Sequence, residues 1–205
     1  VTGKHKKNKE LYKSGSKSIS FNGEIYNYKE ILKNKINSKK ESDTHFLVKL
    51  IKKIGIEKTL NTIDGMFAFV TFDKIKKTLD IATDAQGEKR LFIFEDNEYL
   101  IVSTTILPIF HFIKKININF DVLNSYFYTR HLLFYKNSFY KNLRLLEPGT
   151  LIKINLKKEK RIKKFHTNPL SLISKKKYLL FKKMKYNELI YYFDNLFKNQ
   201  IKQMI

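Results

Sequence analysis

The sequence predicts an α+β fold in which antiparallel sheets are stacked and flanked by helices. The first observation is a series of short segments rich in apolar residues between Met66 and Ser103, separated by polar turns, which is typical of an antiparallel meander. The second is that Met66–Val70 is apolar on both faces, as in a strand that is covered on both sides. The third is that Glu41–Gly55 carries apolar residues at helical spacing, which predicts a helix to cover the sheet.

The N-terminal part is predicted to contain one strand, a turn and a helix. Val1–Lys17 has no periodicity and is expected to be a flexible, basic lead-in. Ser18–Phe21 alternates polar and apolar residues, which predicts a half-buried strand. Asn22-Gly23 is predicted to form a tight turn, because both residue types tolerate positive φ. A helix is expected over Tyr26–Lys35, which carries apolar residues at helical spacing.

The central part is predicted to continue with two helices and the meander. The helix over Glu41–Gly55 has Ser42 or Asp43 as its N-cap and ends at Gly55, and a short helix follows over Glu57–Ile63. The strands of the meander are Met66–Asp73, Thr78–Thr83, Arg90–Glu95 and Glu98–Ser103.

The last third is predicted to contain helices and one further strand. Leu107–Ile113 is a short apolar turn or helix, Asp121–Arg130 is a helix, and Leu145–Ile154 is a turn at Pro148-Gly149 followed by a strand. After His166 the sequence pattern changes. Lys175–Lys185 is predicted to be a lysine-rich connector, and Tyr186–Ile205 an amphipathic helix. That helix either opens a further domain or packs as a core helix of the same domain.

The composition excludes some function classes. The net charge of +22 suggests a nucleic-acid binder, but only 4 of the 41 basic residues are arginine, so nucleic acid is expected to bind only non-specifically through charge. A lysine-rich compositional drift explains the charge better. No run of apolar residues is long enough for a membrane span, and the histidines lack ligand spacing, so neither a membrane nor a metal is expected.

Five motifs in one order carry a family resemblance. They are Phe21–Tyr28 (FNGEIYNY), Ser42–His45 (SDTH), Ile63–Phe69 (IDGMFAF), Asp84–Leu91 (DAQGEKRL) and Leu146–Thr150 (LEPGT). In this order they resemble the glutamine-hydrolysing asparagine synthetases, whose N-terminal domain is a class II glutamine amidotransferase. FNGEIYNY and DGMFAF are the specific pair, and the other three are weak alone.

The resemblance implies a fold, a reaction and a set of site residues. The fold would be an incomplete N-terminal-nucleophile-hydrolase-like αββα sandwich of mainly antiparallel sheets, plus a C-terminal helix. The reaction is a ligase reaction, the ATP-dependent amidation of aspartate with ammonia taken from glutamine. Asn22 and Gly23 would form the oxyanion hole, while Glu24 and Asp43 would bind the glutamine substrate. Capping of the helix alone would also explain Asp43.

The departures from the family pattern shape the expected function. The family attacks glutamine with an N-terminal cysteine, and this sequence contains none; Thr2 is a poor substitute, because no apolar strand follows to hold it. His45 stands where the family has an acidic residue, and Thr83 stands where it has arginine. Asp84 and Gly87 are expected in a turn that either shapes a domain interface or is only a turn.

The expected organisation is a chain shortened at both ends. Residues 1–17 are the lead-in, 18–166 a partial glutaminase domain, and 167–205 a linker with the first helix of a missing synthetase domain. Such a chain is expected to be inactive alone and cytoplasmic, with no cofactor of its own, because ATP and Mg belong to the full-length parent. The alternative is a non-catalytic scaffold or glutamine-binding module that docks a separate synthetase subunit.

Overall fold

The chain builds two antiparallel sheets with helices on their outer faces. These are the features of a computed structural model, which describes residues 11–33, 42–132, 138–158, 160–165 and 174–204. The strands are β1 (Leu11–Ser14), β2 (Lys17–Ile25), β3 (Gly65–Asp73), β4 (Thr78–Thr83), β5 (Phe92–Glu95), β6 (Leu100–Ser103), β7 (Leu143–Leu145), β8 (Thr150–Asn155) and β9 (Lys160–Phe165). The helices are α1 (Tyr28–Lys33), α2 (Asp43–Ile54), α3 (Ile56–Leu60), α4 (Leu107–Phe112), α5 (Phe120–Thr129), α6 (Lys175–Lys183) and α7 (Tyr186–Met204).

The first sheet has six strands in the order β1-β2-β3-β4-β8-β9, and the second has three in the order β6-β5-β7. All neighbouring strands within both sheets pair antiparallel. The expected meander therefore splits after β4, because β5 and β6 belong to the second sheet while β8 takes the place beside β4.

The core is layered as helix, sheet, sheet and helix. On one face of the first sheet, Phe67 and Phe69 of β3 pack with Leu47 of α2 in the largest buried cluster. On the other face, Ala68 packs with Ile93 of the second sheet. The opposite face of the second sheet packs against α4 through a third buried cluster, which contains Phe94, Ile109 and Leu143. The predicted αββα sandwich is confirmed, and the apolar character of both faces of β3 follows from its central place.

The turn predicted at Asn22-Gly23 is wrong. Both residues lie within β2, where Asn22 is opposite Ala68 and Gly23 is opposite Phe67 of β3. Gly23 has φ of +139°, and a Cβ atom there would lie 2.1 Å from the carbonyl oxygen of Met66. Glycine at this position therefore permits the close approach of β2 and β3, a role that glycine often has within a sheet.

The N-terminal elements differ from expectation in two further places. Within the expected lead-in, residues 11–14 form β1, which pairs with β2, and β2 itself begins at Lys17. The first helix begins at Tyr28 rather than Tyr26, and residues 34–35 of its predicted range lie outside the described residues.

The C-terminal elements differ from expectation as well. Strand β9 was not predicted, and the lysine-rich connector forms α6 instead. The ring of Phe181 on α6 lies 5.2 Å from the ring of Tyr192 on α7, measured between centroids. The apolar face of α7 is exposed, with Phe193 67% and Phe197 55% accessible, so α7 does not join the buried clusters of the described residues.

Candidate functional site

At its C-terminal end, β2 has backbone N–H groups that point away from β3. The N–H of Tyr26 donates to the carbonyl oxygen of Asp64, at 2.8 Å, so these two residues, one position beyond the paired ends of β2 and β3, form a hydrogen-bonded pair. In an antiparallel ladder such pairs alternate with non-hydrogen-bonded pairs. The N–H groups of Gly23 and Ile25 therefore point away from β3, toward the edge of β2 on which β1 pairs with Lys17–Ser20.

Asp43 lies at this same edge. Its Oδ2 accepts a hydrogen bond from the N–H of Ile25, at 3.4 Å, and its Oδ1 accepts one from the N–H of Thr44, at 2.7 Å. Ser42 is the N-cap of α2, since its hydroxyl accepts from the N–H of His45. Because Ser42 provides the cap, Asp43 is free to bridge the start of α2 and the end of β2. The partial positive charge of a helix N-terminus stabilises a carboxylate there.

Asn22 and Glu24 extend from the other side of the same strand. Both side chains are exposed and project from the sheet face that carries Ala68, opposite the face that packs on α2. The oxyanion residues and the substrate-binding residues suggested by the sequence are thus brought together at one end of β2. Asn22 and Glu24 approach the edge of β2 from one sheet face and Asp43 from the other.

A pair of residues that sequence reasoning did not connect supports the start of α2. The hydroxyl of Tyr12 on β1 hydrogen-bonds Nε2 of His45 at 2.5 Å, and the two rings lie 4.8 Å apart between centroids. His45 stands where the related motif has an acidic residue. No sequence signal connects it with Tyr12, because 33 residues separate them.

Several carboxylates lie near the side chain of Tyr26. Burial raises the pKa of the Tyr26 phenol, and the carboxylates of Glu88, Glu24 and Asp64 raise it further, since each disfavours a second negative charge. Glu88 belongs to the loop after β4, so this loop and the end of β2 are neighbours. Sequence reasoning missed Tyr26 and Glu88 as members of this region, although Tyr26 lies within the FNGEIYNY motif.

Asp84 organises the loop that follows β4. Its side chain is buried, and the carboxylate accepts hydrogen bonds from four backbone N–H groups: Phe67 at 3.2 Å, Gln86 at 2.9 Å, Glu88 at 3.1 Å and Lys89 at 3.1 Å. Since Phe67 is the residue opposite Gly23, Asp84 ties the loop to the strand that supports the candidate site. Asp84 therefore has a structural role beyond that of a simple turn residue.

The same loop contacts the turn at Pro148-Gly149. The N–H of Gly149 donates to the carbonyl oxygen of Asp84, at 2.7 Å, and a Cβ atom at Gly87 would lie 2.9 Å from Cγ of Pro148. Thr83 joins the two segments too, because its hydroxyl donates to the carbonyl oxygen of Glu147. Two motifs that are weak separately in the sequence thus form one contact in the fold.

Within the described ranges, no group of three or more histidine, aspartate or glutamate residues could hold a metal ion. No helix among those residues is both long and apolar enough to cross a membrane.

The chain matches a known family over most of its length. The family model described as "Glutamine amidotransferase domain" matches residues 6–166. The chain belongs to the glutamine amidotransferase family.

This amidotransferase domain is related to the asparagine synthetases. It is 40% identical over 114 residues to a putative asparagine synthetase 2 of Methanocaldococcus jannaschii, a match that covers 53% of this chain and 22% of that protein. It is 31% identical over 158 residues to asparagine synthetase 2 of Bacillus subtilis, covering 74% of this chain and 21% of that protein. The matches thus span about a fifth of the length of these two curated relatives.

A solved structure supports the fold. Glutamine phosphoribosylpyrophosphate amidotransferase from B. subtilis, complexed with ADP and GMP, matches with a TM-score of 0.50 and 21% identity. The match covers 77% of this chain and 31% of that one. At this identity the likeness concerns the fold alone, and it agrees with the αββα layering described above.

Proposed function

We propose that this amidotransferase domain binds glutamine at the C-terminal end of β2, as the glutamine-handling part of an asparagine synthetase. The observation that carries the proposal is the place of Asp43, whose carboxylate accepts a hydrogen bond from the N–H of Ile25, two residues from Gly23 on the same edge of β2. The family membership supports glutamine as the substrate class, and the relatives named above support asparagine synthetase as the parent.

The proposed binding mode follows from the charges at this end of β2. The α-ammonium group of glutamine pairs with Asp43 and Glu24, which approach from the two sides of the strand. The side-chain amide of glutamine lies beside Asn22 and Gly23, where the Asn22 side chain and the Gly23 N–H donate hydrogen bonds to its oxygen. Donors placed in this way stabilise the oxyanion that forms when the amide is attacked, each by about 3 kcal/mol.

We propose that this chain does not hydrolyse glutamine by itself. Attack on the amide requires an activated nucleophile, and the sequence contains no cysteine. The amidation of aspartate, with its ATP and Mg, is assigned to a longer parent or to a separate synthetase subunit. In the proposed division, the glutamine-binding part runs from β1 to residue 166, and residues 167–205 form a linker and the first helix of the synthetase part.

The alternative is a non-catalytic scaffold or glutamine-binding module that docks a separate synthetase subunit. The exposed apolar face of α7 is compatible with this reading, because contiguous exposed apolar residues often mark a contact with a partner. Both readings share the glutamine site and differ in whether the synthetase part is covalently continuous with this chain.

Calorimetric titration of the purified chain with glutamine tests the site. The D43N variant is expected to bind glutamine at least about tenfold more weakly, since a charged hydrogen bond contributes about 1.5–3 kcal/mol. The control is D121N, because Asp121 is also an acidic residue in the first turn of a helix, at the start of α5. Equal affinities of D43N and the unmodified chain would remove Asp43 from the binding site.

A second measurement tests the proposed lack of hydrolysis. Ammonia release from glutamine is expected to equal that of a heat-denatured sample. Release above that level, retained after further purification and lost in D43N, would show that another group in the chain serves as the nucleophile.

A further inference from the structure

A second polar region lies at the opposite end of the first sheet. The cross-strand register places Lys17, Asp73, Thr78, Asn155 and Lys160 in one row across β2, β3, β4, β8 and β9. Lys17 is six residues from Gly23 along β2, which corresponds to about 20 Å of strand. This region is therefore separate from the proposed glutamine site.

Two residues further along the strands, a second polar row lies on the same sheet face. It contains Thr71, Asp80 and Lys153, on the face that also carries the buried Ile19, Phe69 and Leu151. Thr71 and Asp73 are each only 5% exposed. Buried polar residues on a face that is otherwise apolar are more informative than exposed ones, because burial without a partner costs free energy.

These two rows form the floor of a cavity beyond the end of α2. The cavity has a volume of about 480 Å³ and is walled by Ile51, Gly55 and Ile56 on the helical side. This volume is within the usual range for small-molecule sites, about 300–1,000 Å³. Five lysines line it: Lys17, Lys76, Lys153, Lys158 and Lys160.

Two carboxylates, Asp73 and Asp80, also line the cavity and offset the charge of the five lysines only in part. Oδ1 of Asp73 accepts hydrogen bonds from the N–H groups of Ile75 and Lys76, each at 3.0 Å, and Oδ2 of Asp80 accepts one from the hydroxyl of Thr71, at 3.2 Å. Lys153 pairs with Glu57 at the rim. Among the described residues, Lys17, Lys76, Lys158 and Lys160 form no ion pair.

We infer that this cavity binds an oligophosphate, either as an inorganic chain or as the phosphate chain of a nucleotide. The strand order spreads the lysines across the sheet, from Lys17 on β2 to Lys160 on β9. Because these two residues are four strands apart, about 19 Å at the usual strand spacing, a compact anion cannot contact the lysines at both ends of the row. An extended multivalent anion can, and lysine ammonium groups bind phosphate as point charges without a fixed geometry.

Titration of the full chain with inorganic tripolyphosphate and, separately, with ATP tests the inference, at about 200 mM salt to suppress diffuse charge binding. Saturable binding of one equivalent of tripolyphosphate is expected. Tighter binding of ATP than of tripolyphosphate would assign the site to a nucleotide, and equal or weaker binding would assign it to the phosphate chain alone.

A matched pair of double variants localises the binding. K158Q/K160Q is expected to weaken tripolyphosphate binding at least about tenfold. The control K114Q/K115Q removes the same charge from an exposed segment between α4 and α5, and is expected to change the affinity less than twofold. Thermal unfolding verifies that each variant folds, and the single variant K160Q replaces the double variant if it does not.

Two results would overturn the inference: no saturable binding at this salt concentration, or equal weakening by the two double variants. The latter would show that the net charge of +22 attracts the anion without a site. Neither result bears on glutamine binding, which depends on Asp43 at the other end of β2.

Discussion

The close contact between β2 and β3 beside the candidate site predicts a severe effect of a single methyl group. In G23A the added Cβ would lie 2.1 Å from the carbonyl oxygen of Met66 and 2.6 Å from Cα of Phe67. Both neighbours are backbone atoms, so no side chain can rotate away. The strands must separate by about 1 Å to reach an ordinary van der Waals distance, near 3.5 Å between carbon atoms.

The magnitude has two parts. The φ of +139° is unfavourable for alanine and costs about 1–3 kcal/mol. Separation weakens the hydrogen bonds of the two adjacent pairs, Asn22 with Ala68 and Glu24 with Met66, at about 1 kcal/mol each. The expected loss in the free energy of unfolding is therefore about 3–5 kcal/mol, a large share of the 5–15 kcal/mol that is typical of a domain.

Urea unfolding followed by far-UV circular dichroism measures this loss, with the free energy extrapolated linearly to zero denaturant. G15A is the control, because Gly15 also has a positive φ, +62°, but a Cβ there meets nothing within 4 Å. It is expected to cost only about 1–2 kcal/mol, the strain of a left-handed conformation. If G23A costs no more than G15A, the steric reasoning fails.

Two further predictions concern the buried carboxylate of Asp84 and the half-buried carboxylate of Asp80. D84A is expected to lower the free energy of unfolding by about 3 kcal/mol or more in the same urea assay, because four backbone N–H groups lose their acceptor. The control D96A removes an acceptor from two N–H groups in an exposed turn and should lower the free energy of unfolding clearly less. Equal losses in the two variants would contradict the role given to Asp84. D80N is expected to stabilise the chain at pH 7 by on the order of 1 kcal/mol, because burial raises the pKa of Asp80 in the folded state and its ionised form is disfavoured there. This gain should shrink as the pH falls through the raised folded-state pKa and vanish below the unfolded-state pKa of about 3.9, and a gain that is independent of pH would refute the electrostatic explanation.

The parts of the fold that could be predicted are those whose pattern is local. The apolar character of both faces of Met66–Val70 predicts a central strand, and β3 is central, with α2 on one side and the second sheet on the other. The helix predicted over Glu41–Gly55 is found over Asp43–Ile54, and Ser42, one of the two predicted N-cap candidates, caps it, because capping depends on neighbouring residues only.

The parts that could not be predicted depend on distant residues. Asn-Gly is a strong turn signal in isolation, yet Gly23 lies within β2. Glycine is needed at this position because β3 approaches too closely to leave room for a side chain. Strand β9 has little apolar alternation, and its place is set by pairing with β8. No local pattern reveals that Asp84 reaches the N–H of Phe67, or that Tyr12 meets His45.

The sequence by itself determined the family and the chemical groups available to it. Its motifs named Asn22, Gly23, Glu24 and Asp43 as candidates, and its composition showed that no cysteine accompanies them. Only the tertiary structure decided how these groups are arranged, because Asp43 meets β2 through a contact between residues 18 apart in the chain. Pairing with β3 also decides which N–H groups of β2 remain available, because hydrogen-bonded and non-hydrogen-bonded pairs alternate along the two strands. This alternation turns the Gly23 N–H toward the edge of β2 at which Asp43 lies.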